Sequence, residues 1–285
     1  MRMTRITERL LYKLAKRWIA GYTLDDAIRA AQDANRRNIH AILNRLGEHT
    51  PNYDLIQGYL AEYLQLLERI KADRIDGTIS VKPSQIGLAA AASLYRENLV
   101  KILEKAVEEE RFVWLDMENS PYTEATVQIY RELLPDHREL GLCIQANMKR
   151  SETDLRDLLS RGGRIRLVKG AYPENSDVAY KKRSEVDANY VRLMNMLFDQ
   201  GESFAIATHD GKLIAEAKDL SREHKARFEF QLLKGIRDDL KTNLLSDGYK
   251  VSEYIPYGPE WYNYCKRRMR ERKRNILLLI RSIIG

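Results

Sequence analysis

Three cationic side chains lie in or just after short apolar segments of this 285-residue sequence. Lys82 follows one apolar run, while Arg166 lies within another run and Lys169 directly after it. Three cations at one place repel each other unless anions fill the space between them. The group therefore predicts a bound carboxylate, a bound phosphate or a developing negative charge. Asp116 offers a partial internal counter-charge, and Gly170 permits a ligand to approach the backbone closely.

Polar residues also end or occupy the other apolar runs. In chain order they are Asp116-Met117-Glu118, Gln145, Thr208-His209-Asp210, Gln231, and Tyr254 with Tyr257-Gly258. Each of them alone is more simply a solvated side chain, a helix cap or a turn residue. Seven successive runs with polar groups near one end instead indicate a shared site, since the strands of a parallel barrel carry their chemistry at their carboxyl ends.

A later amphipathic segment, from Trp261 to Asn275, adds the arginines Arg267 and Arg268. Spacings of three and four residues place Tyr264, one or both arginines and Glu271 on neighbouring faces of a helix. Paired arginines bind carboxylates in a bidentate manner better than lysines do. The alternative is a solvated basic helix, which is the usual meaning of a run such as KRRMRERKR.

The elements that must position these residues alternate between short β-rich runs and longer amphipathic segments. The seven runs are Thr78–Val81, Phe112–Leu115, Leu142–Gln145, Ile165–Val168, Phe204–Ala207, Phe228–Leu232 and Val251–Ile255. Helical patterns follow most of them, namely Ala89–Ala106, Glu124–Leu134, Ser176–Phe198 and Gly211–His224. This spacing predicts right-handed crossovers and a parallel sheet.

The length fits one α/β domain, a TIM-type barrel of about 250 residues with an extension. We expect a single domain over residues 1–285, with helices over 1–72, including the helically spaced segments 24–46 and 53–70, and the barrel over 73–285. The eighth strand must be weak or displaced. A doubly wound sheet is the structural alternative, although the phosphate loops GxGxxG and GxxxxGK[ST] are absent.

The net charge of +7 lies in one place: residues 265–285 hold eight Lys or Arg and one Glu, and 8 − 1 = +7. A nucleic-acid-binding protein usually spreads its basic residues over a folded face, so this distribution disfavours that class. Two cysteines without ligand spacing predict neither a disulfide framework nor a metal site, and they favour the cytoplasm. No apolar stretch reaches the ~18 residues of a membrane span. The segment 274–284 predicts either peripheral contact with the inner face of a membrane or a helix buried against the barrel or a partner subunit.

Eight motifs, in order, closely resemble the proline dehydrogenase family over roughly residues 40 to 275. They are SVKPSQIG (80–87), WLDME (114–118), IQAN (144–147), RIRLVKGAY (164–172), ATHD (207–210), FEFQLLKGI (228–236), YIPYG (254–258) and YCKRRMRE (264–271). The resemblance implies a distorted (βα)8 barrel whose last helix is displaced over the site, which would explain the missing eighth unit. It also implies non-covalent FAD, oxidation of L-proline to Δ1-pyrroline-5-carboxylate, and transfer of the electrons to a quinone.

The resemblance assigns roles to individual residues. Asp116 and Arg166 resemble the catalytic pair. The substrate-binding residues would be Lys82, Tyr254, Arg267 and Arg268, with the arginine pair and Lys82 on the proline carboxylate and Tyr254 against the ring. The cofactor-binding residues would be Met117, Gln145, Lys169, Gly170, Ala171, Thr208 and His209. FMN in place of FAD, a homo-oligomer and a partner pyrroline-5-carboxylate dehydrogenase stay open.

Three other functions compete with this one. A barrel aldolase would use Lys82 or Lys169 to form a Schiff base and would need no flavin. A different flavin barrel, such as a folate reductase, would not be reduced by proline. A nucleic-acid-binding module would use the basic C-terminal helix and would show steeply salt-dependent binding.

Overall fold

The computed structural model describes residues 11–13, 15–262 and 264–266. Within them, eight parallel strands close into a barrel in which every strand pairs with its neighbours in sequence and the first pairs with the last. The strands are β1 (His40–Arg45), β2 (Gly77–Val81), β3 (Val113–Leu115), β4 (Leu140–Gln145), β5 (Arg164–Val168), β6 (Ser203–Ala207), β7 (Arg227–Leu233) and β8 (Val251–Tyr257). The predicted barrel is therefore confirmed, and the doubly wound alternative is wrong.

The helices surround this barrel. They are α1 (Leu24–Asn35), α2 (Tyr53–Ala72), α3 (Ala92–Glu108), α4 (Ser120–Leu133), α5 (Ser151–Ser160), α6 (Arg183–Gln200), α7 (Gly211–Glu223) and α8 (Asp238–Ser246). Polar residues mark several of their starts. Thr23 and Asp26 form a capping box at α1, Asn52 caps α2, and Asp210 caps α7. These side chains accept bonds from backbone N–H groups that have no partner within the helix.

The one strand that the sequence analysis did not locate is β1, which lies in a segment for which the sequence predicted a helix. The apolar spacing over 24–46 continues past Asn35, where α1 in fact ends. Asn38 takes a left-handed conformation with φ 58°, and the Asn35 side chain bonds the carbonyl of Ile39, so the chain leaves the helix there. The prediction of helices throughout 1–72 is wrong at His40–Arg45 because a short strand that is buried on both faces also reads as an apolar stretch.

Alternation along the strands separates an outer core from the barrel interior. The outer core lies between the sheet and the helices and holds most of the buried apolar side chains. A small apolar cluster of Ile42, Trp114 and Ala205, with Phe112 and Tyr254 against it, lies apart from that core. Much of the interior is polar. The polar groups there are Asn44, Ser80, Asp116, Arg166, Gln231, Glu229 and Ser252.

The loop between β5 and α6 is longer than the sequence predicted, since α6 begins at Arg183 and not near Ser176. Its residues bond to other loops at the same end of the barrel. Ala179 forms an isolated β-bridge with Met148, and Tyr172 donates a hydrogen bond of 3.2 Å to Glu48. These contacts tie the loop to its neighbours, and the predicted start of the helix near Ser176 is wrong.

The start of the last helical segment is tied to the first strand. Arg45, at the end of β1, donates to Glu62 at 2.7 Å and to Glu260 at 2.5 Å. Gly258 has φ +126°, and a Cβ there would lie 2.2 Å from an Arg45 nitrogen, so this turn requires glycine. Arg267, Arg268 and the basic and apolar segment 267–285 lie outside the described residues. Among the residues described, no helix combines the length and the apolar character that a membrane crossing requires.

Candidate active site

Asp116 is the centre of a buried polar cluster at the carboxyl ends of the strands. It follows β3, and four side chains from three other strands donate to its carboxylate. Oδ1 accepts from Ser80 Oγ at 2.7 Å and from Arg166 Nη1 at 2.7 Å, and Oδ2 accepts from Lys82 Nζ at 2.9 Å and from Tyr254 OH at 2.6 Å. The predicted catalytic pair and two of the predicted substrate residues therefore form one network, which we call the inner network.

Arg166 holds the middle of β5 and is only 3% exposed. Its Nε donates to Gln231 Oε1 at 2.5 Å, and Nη1 also reaches Ser80 Oγ at 3.0 Å. The guanidinium lies 4.7 Å from the ring centroid of Trp114 and 5.6 Å from that of Tyr254. Because hydrogen bonds and two aromatic rings hold it, its position is fixed before any ligand binds.

Burial would raise the pKa of the Asp116 carboxyl, but Lys82 and Arg166 outweigh that effect and lower it to about 2. Burial likewise disfavours the charged form of Lys82, yet the neighbouring Asp116 raises the pKa of Lys82 well above its ordinary value. Burial and the Asp116 charge both raise the pKa of Tyr254. At neutral pH the inner network therefore contains an ionised carboxylate, two cations and a neutral phenol.

Lys169 belongs to a second, more exposed cluster and not to the inner network. Its ammonium pairs with Asp187 on α6 and, at 2.8 Å, with Asp210 at the start of α7. Arg183 also donates to Asp210, at 3.1 Å. The expectation that the three strand-end cations need outside anions is corrected here, because each of Lys82, Arg166 and Lys169 pairs with a carboxylate of the chain.

The other predicted cofactor residues lie around the same end of the barrel. Gln145 ends β4 and donates to the backbone carbonyl of Glu118 at 2.9 Å, next to the buried Met117. Thr208 is buried just after β6. His209 accepts at Nε2 from the backbone N–H of Leu233 at 3.0 Å. Ala171 is exposed in the loop after β5.

Sequence reasoning missed several members of these clusters. It gave no role to Ser80, Glu48, Asp187 or Glu229, and it noted Gln231 without assigning it a partner. A usable signal was present in the period-two spacing of polar residues within strands, because residues i and i+2 face the same side. That rule places Ser80 on β2 on the same side as Lys82, which directly follows the strand, and Glu229 on the same side as Gln231 on β7.

Two buried polar atoms indicate where a flavin would fit. Arg166 Nη2 and Asn147 Oδ1 are shielded from solvent, and neither has a hydrogen-bond partner within the part of the chain that the structure describes. Gly170, with φ +103°, lies so close to Asn147 that a Cβ would come within 2.0 Å of Oδ1. Buried donors and acceptors are normally paired. Nη2 can donate and Oδ1 can accept, and the polar ring of a flavin offers partners of both kinds.

Comparisons with known proteins agree with this geometry. A proline dehydrogenase family model matches residues 27–276. Proline dehydrogenase 2 of Bacillus subtilis is 32% identical across 96% of this chain and 94% of its own length. The proline dehydrogenase of Deinococcus radiodurans is 34% identical across 96% of this chain and 91% of its own length.

Among solved structures, proline utilization A (PutA) from Bdellovibrio bacteriovorus superposes with a TM-score of 0.86 at 23% identity. The match covers 94% of this chain and 33% of that chain, so this chain spans about a third of the length of that relative. At that identity the superposition establishes the fold. With the family match and the two relatives of similar length, it leads to one conclusion: the chain belongs to the proline dehydrogenase family.

Proposed function

We propose that this chain oxidises L-proline to Δ1-pyrroline-5-carboxylate with FAD as cofactor and a quinone as the final electron acceptor. One observation carries the proposal. Two buried cations, Lys82 and Arg166, both bond the carboxylate of Asp116, and Lys82 also forms a longer ion pair with Glu48. Both cations are charged hydrogen-bond donors at one end of the barrel, and the carboxylate of a bound amino acid would be attracted to them. Glu48 lies 3.7 Å from Lys82, beyond hydrogen-bond distance.

Substrate binding is assigned to Lys82 together with the arginine pair Arg267 and Arg268. Lys82 is 8% exposed and directly follows the carboxyl end of β2. An ammonium offers three donors, and Asp116 takes one of them at 2.9 Å. The arginines would hold the same carboxylate from the last helix. Tyr254 would pack its ring against the substrate ring.

Bound FAD would supply the acceptor for the hydride that leaves the proline ring. The residues of the chain contribute position and charge. Arg166 would place its unpartnered Nη2 beside the electron-rich edge of the flavin and stabilise negative charge that develops there. Asp116 would hold Lys82, Arg166 and Tyr254 at the same time. Because its pKa is about 2, it would act as an ionised anchor and not as a proton donor.

The aldolase alternative fits the inner network poorly. A lysine that forms a Schiff base must be deprotonated, and such lysines have a lowered pKa. The pKa of Lys82 is raised by Asp116 instead. The nitrogen of Lys169, the other candidate, is held between the carboxylates of Asp187 and Asp210.

The test is spectroscopic. We expect the purified protein, or the apoprotein reconstituted with FAD, to absorb near ~450 nm and to lose this absorbance when L-proline is added without oxygen. Chromatography of the cofactor after denaturation would distinguish FAD from FMN. Trapping the product with o-aminobenzaldehyde would identify Δ1-pyrroline-5-carboxylate. A reconstituted flavoprotein that proline leaves oxidised would contradict the proposal, and bleaching by NADH alone would favour a folate-reductase-like activity.

A further inference from the structure

Gln231 connects the Arg166 guanidinium to a carboxylate that has had no part in the site so far. Gln231 Oε1 accepts from Arg166 Nε at 2.5 Å, while its Nε2 donates to Glu229 Oε1. The other oxygen of Glu229 accepts from Ser252 Oγ at 2.6 Å. A chain of hydrogen bonds therefore runs from β8 through β7 to Arg166 on β5.

The chemistry of the two neighbours fixes which way the Gln231 amide points. An arginine can only donate, and an ionised glutamate can only accept. The amide therefore has to face Arg166 with its oxygen and Glu229 with its nitrogen. If Glu229 were absent, only Arg166 would oppose the flipped amide, and the Gln231 side chain would lose the second hydrogen bond that holds it in place. Glu229 thus controls a contact that it does not make itself.

The small side chain of Ala205 on β6 leaves room for the contact between Arg166 on β5 and Gln231 on β7. Arg166 pairs in register with Ala205, and Ala205 pairs in register with Glu229. Ala205 is fully buried in the same small cluster as Trp114. Because residues in register point to the same face of a sheet, a larger side chain at position 205 would fill the path that the Arg166 side chain takes to Gln231.

Two anchors hold the guanidinium. Asp116 and Ser80 hold Nη1, and Gln231 holds Nε. Only Nη2 is left without a partner among the described residues. If the Gln231 contact were lost, the group could rotate about its remaining anchor, and Nη2 would no longer have a fixed direction.

We propose that Glu229 is a positioning residue for proline oxidation: with Ser252 it orients the Gln231 amide, and the oriented amide fixes the Arg166 guanidinium against the flavin. This inference rests on the proposed function of Arg166. Glu229 touches neither substrate nor cofactor, so the proposal predicts an effect on the rate of flavin reduction and not on proline binding.

The experiment compares Glu229→Leu with Glu229→Gln in the FAD-loaded protein. Leucine removes the acceptor, whereas glutamine keeps one: its oxygen can accept from Gln231 while its NH2 donates to the Ser252 hydroxyl. For Glu229→Leu we expect the rate of anaerobic flavin reduction by proline to fall about 10- to 100-fold. The KM for proline should change by less than about threefold, because Lys82 and the arginine pair assigned to the proline carboxylate are unchanged. Glu229→Gln should recover the wild-type rate to within about threefold, since it retains the orienting bond.

Readouts other than turnover separate positioning from damage to the fold. A crystal structure of Glu229→Leu should show the Arg166 guanidinium turned from its wild-type position. Gln231→Met keeps the length of the side chain but offers no amide oxygen to Arg166 Nε. Its rate of flavin reduction should match that of Glu229→Leu, and it replaces Glu229→Leu as the test if that variant does not fold. Glu216→Leu, at an exposed position on α7, is the control for loss of a carboxylate.

Three outcomes would overturn the proposal. The first is a wild-type rate of flavin reduction in both Glu229→Leu and Gln231→Met. The second is an Arg166 guanidinium that has not moved in the crystal structure of Glu229→Leu. The third is a Glu229→Gln variant as slow as Glu229→Leu, which would show that the charge of Glu229, and not its hydrogen bond, is the source of the effect. A wild-type protein that proline does not reduce would instead refute the proposed function. The crystallographic result would still decide whether Glu229 orients Arg166.

Discussion

The hydroxyl of Tyr254 donates a 2.6 Å hydrogen bond to Asp116, so the last strand of the barrel is joined to the third across the interior. Asp116 also accepts from two cations and from Ser80. One carboxylate therefore holds in place the ring proposed to wall the substrate and the two cations proposed to bind the substrate and the flavin. Changes around it should affect stability and catalysis in separable ways.

Replacing Tyr254 by phenylalanine removes this bond and keeps the ring. Because hydrogen bonds to charged groups are stronger than neutral ones, we expect the free energy of unfolding to fall by about 2 kcal/mol in urea titrations. Tyr249→Phe is a matched control, since the Tyr249 hydroxyl contacts the neutral Ser221, and its cost should be about 1 kcal/mol or less. Equal losses in the two variants would contradict the special status of the Tyr254 bond.

The contribution of Asp116 to stability should vanish in acid. Its pKa is about 2 in the folded protein against an ordinary 3.8. A carboxyl whose pKa is lowered by folding stabilises fully above its unfolded pKa, and this stabilisation is lost as the pH falls from about 4 through about 2. The interval corresponds to about 2 kcal/mol. The stability difference between wild type and Asp116→Asn should therefore shrink across this window.

Urea titrations at pH 7, 5, 4 and 3 would measure that difference. Asp219→Asn, at an exposed position, should stay within about 0.5 kcal/mol of wild type at every pH. A wild-type advantage over Asp116→Asn that is the same at pH 3 as at pH 7 would show that the ionised carboxylate is not its source.

Lys82→Met should weaken proline binding. We expect the KM for proline to rise at least about tenfold while the protein keeps its flavin, because the change removes a cation assigned to the substrate carboxylate. Arg268→Met should also raise the KM. Lys212→Met, at an exposed position in the first turn of α7, is the control and should leave the KM unchanged. Steady-state kinetics with a quinone analogue would supply the values, and an unchanged KM in Lys82→Met would remove that residue from the carboxylate site.

Gly170→Ala should impair flavin binding. The backbone there has φ +103°, and the added methyl group would lie 2.0 Å from Asn147 Oδ1. We expect the free energy of unfolding to fall by about 1–3 kcal/mol and the flavin content of the purified protein to drop. Gly58→Ala, at an exposed position inside α2 with no atom near the new methyl group, should instead gain up to about 1 kcal/mol. Full flavin content in Gly170→Ala would contradict the close approach proposed for this loop.

The sequence predicted seven of the eight strands because each is a short apolar run and helical patterns follow most of them. It missed β1, whose residues Ile42 and Leu43 are fully buried although they face opposite sides of the sheet. Such a strand lacks the alternation of apolar and polar residues that marks a half-buried one. A short turn, with Asn38 in a left-handed conformation, is all that separates β1 from the end of α1.

Several residues named from the sequence come together in the structure, but their pairings were not predicted. Strand ends drew attention to Lys82, Asp116 and Lys169, but sequence alone could not show that Lys169 pairs away from the other two. The separate position of Lys169 depends on its ion pairs with Asp187 in α6 and with Asp210 at the start of α7. Long-range partners of this kind follow from how the barrel closes, and no local pattern in the sequence encodes them.

The pairing of β1 with β8 has a consequence for synthesis of the protein. His40 and its partner Ser252 are 252 − 40 = 212 residues apart. At about 5–20 residues per second, β1 leaves the ribosome roughly 10–40 s before β8 does. During that interval one edge of β1 is unpaired, and an unpaired edge is a template for association with other chains. A ribosome-associated chaperone that covers β1 until translation reaches β8 should therefore raise the yield of native enzyme.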